Sequence, residues 1–338
     1  MGRTVFVLGL VVSIITLYLF VQKQKVISPI GEKPAIIKEK PLDKYTFENL
    51  KKQQFKGSTI ALGRTLEDGD KFTSQMFYYK VSGKKVSGLL NVPKSSGEYP
   101  VIVMLRGFVP KENYTTGIGT KRAGEMFATN GFIALAPDFL GYGESDKPSK
   151  NPMEERFQTY TTVVTLLSSL VNLNRGLDAS YSGKIKADTL KVGIWGHSNG
   201  GQIALSVLEI SGKNYPTVLW APVSKPFPYS ILYYTDEFDD RGKALRKVLA
   251  NFEKDYDVEL YSLTNYFDWI NAPMQIHQGE NDDAVPKKWS DELVDSLSKL
   301  KKEVEYFTYP DGDHNLMPNG WSQAVERSIE FYREKFSK

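Results

Sequence analysis

The chain has 338 residues, of which 41% are hydrophobic and 25% are charged, a composition typical of folded globular proteins and not of disordered ones. Its 43 basic and 40 acidic residues leave a formal net charge of +3, which is too small a surplus to indicate a nucleic-acid partner. The sequence contains no cysteine, which excludes disulfides, thiolate metal sites and a cysteine nucleophile.

The N-terminus carries an uncharged, strongly apolar run at residues 4–21. As a helix rising about 1.5 Å per residue, this run would span roughly 27 Å, close to the hydrocarbon core of a bilayer at about 30 Å. It is longer than the apolar part of a signal peptide, and no small-residue cleavage pattern follows it. We therefore expect an uncleaved single-pass membrane anchor, with a cleaved signal as the alternative. We also expect the rest of the chain to be extracytoplasmic, although the flanking charges alone do not decide the orientation.

Residues 22–55 contain three prolines, Pro29, Pro34 and Pro41, among many lysines. Proline removes backbone donors and restricts its neighbours. The composition therefore predicts an extended tether, or spacer. One domain is then expected over residues 56–338.

Predicted strands and helices alternate along this domain. Residues 72–81 and 85–93 are predicted to form a hairpin around Ser82-Gly83. Buried parallel strands are predicted at 101–105, 131–137, 190–195, 216–221, 272–277 and 304–309. Apolar residues recur at helical spacing in 118–130, 155–176, 198–211, 287–302 and 320–337. The pattern predicts an α/β fold whose mostly parallel central sheet is covered by helices on both faces, with one antiparallel pair at its edge.

Residues 223–270 break this alternation. The segment is rich in tyrosine, phenylalanine and aspartate and separates two predicted strands. Insertions of this length within a domain are usually lids or binding segments. We expect a lid, with a passive surface elaboration as the alternative.

A glycine-rich turn, Gly196-His197-Ser198-Asn199-Gly200-Gly201, joins a predicted strand directly to a predicted helix. This is the context that a nucleophile elbow requires, in which a sharp turn holds the serine in a strained backbone conformation. The glycines matter because side chains flanking the serine would clash with the adjoining strand and helix. Ser198 is therefore the candidate nucleophile, and the N–H of Asn199 would point toward a developing oxyanion.

A serine nucleophile needs a base, and the chain contains three histidines. His314 lies in a tight turn between the last predicted strand and the last predicted helix. It is the one histidine late enough for the order serine, acid, histidine that accompanies such an elbow. We expect His314 to be the base. His197 is interpreted as a structural residue under the elbow, and His277, at the end of a buried strand, as a hydrogen-bonded core residue.

The acid that orients the imidazole is expected after the strand ending at His277. Glu280, Asp282 and Asp283 all follow that strand. Spacing alone leaves the choice between Asp282 and Asp283 open.

The second oxyanion donor is expected after the strand at 101–105, where Arg106-Gly107-Phe108 stands. Gly107 allows the backbone to turn so that an N–H, that of Phe108, faces the site. Another glycine-flanked serine, Ser145, has the wrong spacing and precedes no suitable helix, so we reject it as a nucleophile.

Together these motifs resemble the α/β-hydrolase superfamily, and within it the prolyl-oligopeptidase and dienelactone-hydrolase group, over about residues 70–338. Residues 198–201 resemble that group's Ser-x-Gly-Gly elbow, and residues 136–145 resemble its loop after the second core strand. Residues 276–286 resemble its His-Gly-x-x-Asp-x-x-Val-Pro segment, and this resemblance implies that Asp282 is the acid.

Two departures from the group's pattern stand out. Gln278 is an insertion between His277 and the following glycine, which affects the register of the acid loop. Arg106-Gly107 replaces the His-Gly that commonly ends the oxyanion strand of relatives. A backbone donor survives that change, but the site near Arg106 should be more cationic.

The resemblance implies a serine hydrolase that cleaves an amide, peptide or ester bond through an acyl-enzyme, without a cofactor or metal. Small-molecule or short peptide substrates are expected, with peptides and amides slightly favoured over carboxylic esters. A non-catalytic binding protein on the same fold is the alternative from another class. It is disfavoured because all three members of a catalytic triad are available.

Overall fold

The computed structural model describes residues 39–337 of the chain. The predicted membrane anchor at residues 4–21, and the predicted spacer up to residue 38, lie outside this range. Among the described helices, none is both long enough and apolar enough to cross a lipid bilayer.

The described residues build one mixed sheet of nine strands. The strands are β1 (Ala61–Asp68), β2 (Phe72–Val81), β3 (Lys84–Pro93), β4 (Gly97–Leu105), β5 (Ile133–Pro137), β6 (Ile185–His197), β7 (Thr217–Trp220), β8 (Met274–Gly279) and β9 (Val304–Tyr309). Their spatial order is β1-β2-β3-β5-β4-β6-β7-β8-β9. Neighbours from β5 to β9 in that order are parallel, and the pairs from β1 to β5 are antiparallel. The predicted α/β fold with a mostly parallel sheet is confirmed.

The central strands follow the apolar runs of the sequence because both faces of the sheet are covered. All five residues of β5 are buried, as are the last five of β4. The predicted hairpin joins β2 to β3 through Ser82 and Gly83, which both have positive φ angles. The edge strand β1 is an addition to the prediction, since its mostly exposed residues form no apolar run. It pairs with β2 and continues the antiparallel edge.

Helices pack on both faces of the sheet. They are α1 (Phe47–Lys52), α2 (Lys121–Thr129), α3 (Pro152–Ser169), α4 (Leu173–Tyr181), α5 (Asn199–Ser211), α6 (Tyr229–Leu232), α7 (Lys243–Glu253), α8 (Lys287–Lys299) and α9 (Trp321–Ser337). Each predicted helical stretch contains a helix, but the stretch at 155–176 is two helices separated by a 3-10 turn at Leu170–Asn172. Buried residues of α3 and α5 belong to one core, and those of α2 and α9 belong to the core on the opposite face.

The start of the domain differs from expectation. Residues 22–55 were predicted to be an extended spacer, yet the compact unit that holds the sheet begins at Pro41. Phe47 and Leu50 of α1 are 0% and 1% exposed and join the main core. The prediction is therefore wrong for this part of the segment. The prolines and lysines of the segment favoured an extended spacer, but its two apolar residues, three positions apart, share one face of a helix.

The insertion at residues 223–270 is held down by an aromatic cluster. Phe227, Phe252 and Tyr261 pack around Phe157 of α3, with ring centroids 5.7, 6.0 and 5.0 Å away. Aromatic pairs at these separations add to the free energy of burial. The insertion is thus packed onto α3, and its role as a lid stays a prediction.

Candidate active site

The turn between β6 and α5 holds Ser198 in a conformation that non-glycine residues rarely adopt, with φ 58° and ψ −122°. The surrounding chain stabilises it. The Ser198 amide donates to the Trp220 carbonyl at 2.9 Å, and the Ser198 carbonyl accepts from the Val223 amide at 3.1 Å. The backbone therefore forms the predicted elbow, at the carboxyl end of the sheet.

Two glycines make this turn possible. A Cβ on Gly200 would collide with the carbonyl of Leu105, and a Cβ on Gly196 would lie 2.6 Å from the carbonyl oxygen of Gly200. Both contacts are with backbone atoms, which cannot rotate away. The close approach of β4, β6 and α5 at this point thus requires glycine at both positions.

His314 lies in the loop after β9, and its imidazole meets the carboxylate of Asp282 from the loop after β8. The Nδ1 atom is 2.9 Å from Oδ2 and 3.1 Å from Oδ1 of Asp282. The side chain of Asp282 is fully buried, whereas that of His314 is 20% exposed. With its Nδ1–H donating to this carboxylate, the ring presents Nε2 as a free acceptor, which is the tautomer a general base needs.

The carboxylate of Asp282 is held in place by several donors. Its Oδ1 accepts from the amides of Ala284 and Val285 at 3.0 and 2.8 Å, and its Oδ2 accepts from Gln278 Nε2 at 2.9 Å. Asp283 is exposed and makes no contact with His314 in the described structure. Of the two aspartates that spacing left open, Asp282 is the one whose carboxylate contacts His314. Gln278, the inserted residue of the motif, has become a partner of the acid.

The loops that carry this pair are joined by backbone hydrogen bonds. The Glu280 amide donates to the Tyr309 carbonyl at 3.0 Å, and the Asn281 amide donates to the Gly312 carbonyl at 2.9 Å. These bonds fix the distance between the ends of β8 and β9. They explain how residues 32 positions apart come to form one hydrogen-bonded pair.

His197 lies beside His314 on the neighbouring strand end. Its Nε2–H donates to the backbone carbonyl of His314 at 2.9 Å, and the two ring centroids are 4.7 Å apart. Burial, reinforced by the nearby charge of His314, lowers the pKa of His197 to about 4, so the ring is neutral near pH 7. The structural role predicted for His197 is supported. The bond to His314 is new, because sequence spacing carries no sign of it.

His277 lies inside the sheet and away from this pair. It is 0% exposed, its Nδ1 is 2.7 Å from the Tyr309 hydroxyl and its Nε2 is 2.8 Å from Gln275 Oε1. Burial, with a contribution from Arg327, lowers the pKa of His277 to about 3. The prediction of a hydrogen-bonded core histidine is confirmed.

The backbone at Gly107 passes close to the nucleophile. A Cβ at Gly107 would lie 3.0 Å from Ser198 Cβ and 3.5 Å from Ser198 Oγ. The next amide, that of Phe108, has no acceptor among the described residues, and Asn199 opens α5, where an amide has no intrahelical partner. Both N–H groups predicted to bind an oxyanion are therefore without a partner among the described residues, and each is adjacent in sequence to Ser198 or to the Gly107 that approaches it. The Phe108 side chain is 69% exposed.

The imidazole of His314 is not hydrogen-bonded to Ser198 Oγ in the described structure, where the hydrogen bonds of its ring are those with Asp282. Such bonds are often long in free enzymes and shorten when substrate binds. In the described part of the chain, no group of three or more carboxylate or imidazole side chains is arranged to hold a metal ion.

Arg106 was expected to make the site more cationic. Instead of pointing to solvent, it is 6% exposed and its guanidinium lies 4.5 and 4.1 Å from the ring centroids of Tyr114 and Tyr142. It donates to the Gly107 carbonyl at 2.9 Å and to the Asp138 carbonyl at 3.2 Å. Arg106 thus stabilises the Gly107 turn, and its positive charge lies buried beneath the site.

Comparison with known proteins places the chain among hydrolases. Residues 175–338 match the model of the prolyl oligopeptidase family, and residues 74–215 match the chlorophyllase model. The uncharacterized peptidase YtmA of Bacillus subtilis is 27% identical over 263 residues, which cover 76% of this chain and 92% of that protein.

Solved structures share the fold at low sequence identity. The acetyl xylan esterase of Paenibacillus sp. R4 superposes with a TM-score of 0.56 at 17% identity, over 87% of this chain and 95% of the esterase. The acylaminoacyl peptidase of Pyrococcus horikoshii superposes with a TM-score of 0.55 at 19% identity, over 79% of this chain and 42% of the peptidase. Esterases and peptidases therefore share this architecture.

Proposed function

We propose that the chain is a serine hydrolase of the α/β-hydrolase superfamily, which transfers an acyl group to water through Ser198, His314 and Asp282. The observation that carries this proposal is the 2.9 Å contact between His314 Nδ1 and the buried carboxylate of Asp282, beside an elbow that strains Ser198. A strained serine, a correctly oriented imidazole and a buried acid are the parts that activate a weak nucleophile.

In the first step, Ser198 Oγ attacks the substrate carbonyl carbon while its proton passes to His314 Nε2. The resulting imidazolium is stabilised by the carboxylate of Asp282. The tetrahedral oxyanion accepts hydrogen bonds from the amides of Asn199 and Phe108, next to Gly107. His314 then returns the proton to the leaving group, the bond to that group breaks, and the acyl-enzyme remains.

The second step repeats the chemistry with water. His314 Nε2 removes a proton from the water, whose oxygen attacks the acyl-enzyme carbonyl. Collapse of the second tetrahedral intermediate breaks the bond to Ser198 Oγ, and the imidazolium gives its proton back to that oxygen. The acid product leaves, and the reaction as written involves neither a metal nor an organic cofactor.

For the substrate, we propose a short peptide or another small amide. The match to the prolyl oligopeptidase family model and the similarity to a peptidase over 76% of the chain support this choice. Small carboxylic esters are the second candidate, supported by the match to the chlorophyllase model over residues 74–215. The proposed chemistry is the same for both.

A fluorophosphonate probe tests the reaction class, and matched substrates test the preference. The full-length protein should be labelled, and labelling should disappear in Ser198→Ala. An aminoacyl-arylamide and a p-nitrophenyl ester with the same acyl group then give a ratio of kcat/KM. Absence of labelling in the wild-type protein contradicts the serine mechanism, and labelled protein that cleaves the ester alone contradicts the peptidase assignment.

We also propose that residues 4–21 anchor the protein in a membrane with the hydrolase domain outside the cytoplasm. The length of this uncharged run supports the proposal. After cell lysis, the full-length protein should sediment with membranes and resist extraction by high salt. Recovery of the intact chain in the soluble fraction contradicts an anchor, and protection from protease in intact spheroplasts contradicts the orientation.

A further inference from the structure

A cavity of about 210 Å³ opens beside the elbow, between the carboxyl end of β4 and the helices α3 and α5. Two of its lining residues, Phe108 and Asn199, carry the proposed oxyanion amides. Two others, Arg106 and Arg156, are cationic. The proposed acyl-transfer mechanism uses neither guanidinium for chemistry.

Both guanidinium groups keep unused hydrogen-bonding capacity. The Nε atoms of Arg106 and Arg156 are buried and lack a partner among the described residues. Arg156 is held by a neutral group, because its Nη2 donates to Gln202 Oε1 at 2.8 Å. A buried donor without an acceptor costs free energy, and a site with such donors favours a ligand that supplies acceptors.

Charges near the cavity do not cancel. Glu155, the carboxylate in the lining, pairs with Lys111 at 2.6 Å. Arg106 faces Asp138, whose carboxylate accepts from three hydroxyl groups and whose pKa is raised by burial, so that Asp138 offsets at most one positive charge. Arg156 then has no carboxylate partner in the described part of the chain. At least one positive charge in the cavity is uncompensated.

The helix α5 adds to this field. Asn199 and Gln202 belong to its first turn, and both line the cavity. The N-terminus of a helix carries a partial positive charge that favours an anion. Three independent features, two guanidinium groups and one helix N-terminus, therefore favour a negatively charged ligand.

The position of the cavity decides which part of a substrate it receives. In the sheet, β4 and β5 lie on one side of β6, and β8 and β9 lie on the other. His314, which protonates the leaving group in the proposed mechanism, follows β9, whereas the cavity borders β4 and the oxyanion amides. The leaving group must depart on the side of His314, so the cavity is on the side of the acyl group.

We propose that this cavity is a subsite for a carboxylate on the acyl group of the substrate, with Arg156 as its main anchor and Arg106 beneath it. The chemical class is an acyl group with an acidic side chain or an ω-carboxyl group, such as an acidic amino acid residue or the half-ester of a small dicarboxylic acid. This inference rests on the proposed serine hydrolase function and specifies its substrate.

The test compares p-nitrophenyl hydrogen glutarate with p-nitrophenyl valerate, two esters of the same chain length and leaving group, after subtraction of the enzyme-free rate. A charge-assisted hydrogen bond is worth roughly tenfold to a hundredfold in binding. The wild-type protein should therefore have a kcat/KM at least about tenfold higher for the glutarate ester. Equal or lower activity on the glutarate ester overturns the proposal, and this measurement needs no variant.

Substitution then identifies the anchor. Arg156→Gln should abolish the preference by raising KM for the glutarate ester at least about tenfold more than for the valerate ester; Arg156→Lys should restore part of the preference. Arg122→Gln is the matched control, because Arg122 lines a different cavity and stacks on Trp321. If Arg156→Gln slows both esters equally, Arg156 acts on the fold and the subsite assignment is wrong.

Fluorophosphonate labelling is measured on each protein alongside these rates. Labelling of the wild type without a glutarate preference contradicts the subsite alone. Absence of labelling contradicts the serine mechanism itself, so the two failures are distinguishable.

Discussion

In the loops after β8 and β9, hydrogen bonds made by side chains hold Asp282 and His314 together, whereas in the turns after β4 and β6 the backbone itself, through close packing and backbone hydrogen bonds, holds Gly107 and Ser198. On the first side, the acid alone accepts from two amides and one side chain in addition to the imidazole. On the second side, a single methyl group at Gly200 would meet the backbone of the neighbouring strand.

Substitutions in the two halves of the site should therefore have different effects, one on the rate and the other on stability. Hydrogen-bonded side chains can be replaced by near isosteres, so changes to the side chains of Asp282 and His314 should reduce the rate while the fold survives. Backbone contacts cannot relax, so changes to the glycines on the nucleophile side should destabilise the domain itself.

Ser198→Ala should have the largest effect on rate, because it removes the nucleophile without adding volume. We expect kcat to fall by about 10⁶-fold, in line with losses on removing such a nucleophile. The change removes one oxygen from a half-buried side chain, so Tm should stay within a few degrees of wild type. Ser145→Ala is the control, and it should keep fluorophosphonate labelling. Loss of labelling in this variant would contradict the assignment of Ser198 as the nucleophile.

Asp282→Asn should lower kcat by about 10⁴-fold, because an amide in place of the carboxylate selects the wrong imidazole tautomer. Asp283→Asn, at the exposed neighbouring position, should stay within about threefold of wild type, as surface substitutions usually do. Steady-state kinetics on both variants make a matched pair. The reverse ranking would contradict the loop geometry that joins Asp282 to His314.

Gly200→Ala should reduce stability more than Asp282→Asn or another side-chain replacement in the acid–base pair. Its new Cβ would overlap the Leu105 carbonyl, and overpacking against backbone costs about 1–3 kcal/mol or more. Gly69→Ala is the control, since a Cβ there would meet its nearest neighbour at an ordinary 3.4 Å. Chemical denaturation of both variants measures the difference. Wild-type stability in Gly200→Ala would show that the turn relaxes, and it would contradict the expected difference between the two halves of the site.

His277 should make stability depend on pH. Its pKa is about 3 in the folded protein and near 6.5 when unfolded, so between these values the unfolded chain binds more protons. The free energy of unfolding should therefore fall as pH falls from about 6.5 toward 3, by about 1.4 kcal/mol for each pKa unit of the difference. His277→Gln should show a shallower slope in denaturation curves at pH 4 to 7. An unchanged slope would mean that other groups dominate.

His197→Phe should have the smallest effect. It keeps a ring beside His314 but removes the N–H that donates to the His314 carbonyl. One hydrogen bond is worth about 1 kcal/mol, so we expect kcat to fall by roughly fivefold to tenfold with KM unchanged. His197→Gln, which can still donate, should recover part of the rate. A rise in KM in place of the fall in kcat would contradict a positioning role.

Most of the sheet and the nucleophile elbow could be predicted because their signals are local. Continuous apolar runs mark β4 and β5, alternation with helical stretches marks the later strands, and the glycines around Ser198 mark the elbow. The edge strand β1 could not be predicted, because its exposed residues show no apolar pattern. The segment containing Phe47 was misassigned because its burial depends on a core that is distant in sequence.

The pairing of His314 with Asp282 lies between these cases. Chain order and residue type reduced the acid to two neighbouring aspartates, and family resemblance preferred one of them. The turn that buries Asp282 and exposes Asp283 depends on amides of Ala284 and Val285 and on the Gln278 side chain. Spacing along the chain does not show which of two adjacent side chains turns inward.

By itself, the sequence determined the fold class and predicted a serine nucleophile and a histidine base, because each of these rests on residues close together in the chain. Only the tertiary structure decided which aspartate contacts His314, the hydrogen bond from His197, and the cavity that both Arg106 and Arg156 line. Those features join residues that are 32, 117 and 50 positions apart. Their contact depends on which strands and helices become neighbours, and that is settled by burial of the whole core rather than by any local pattern.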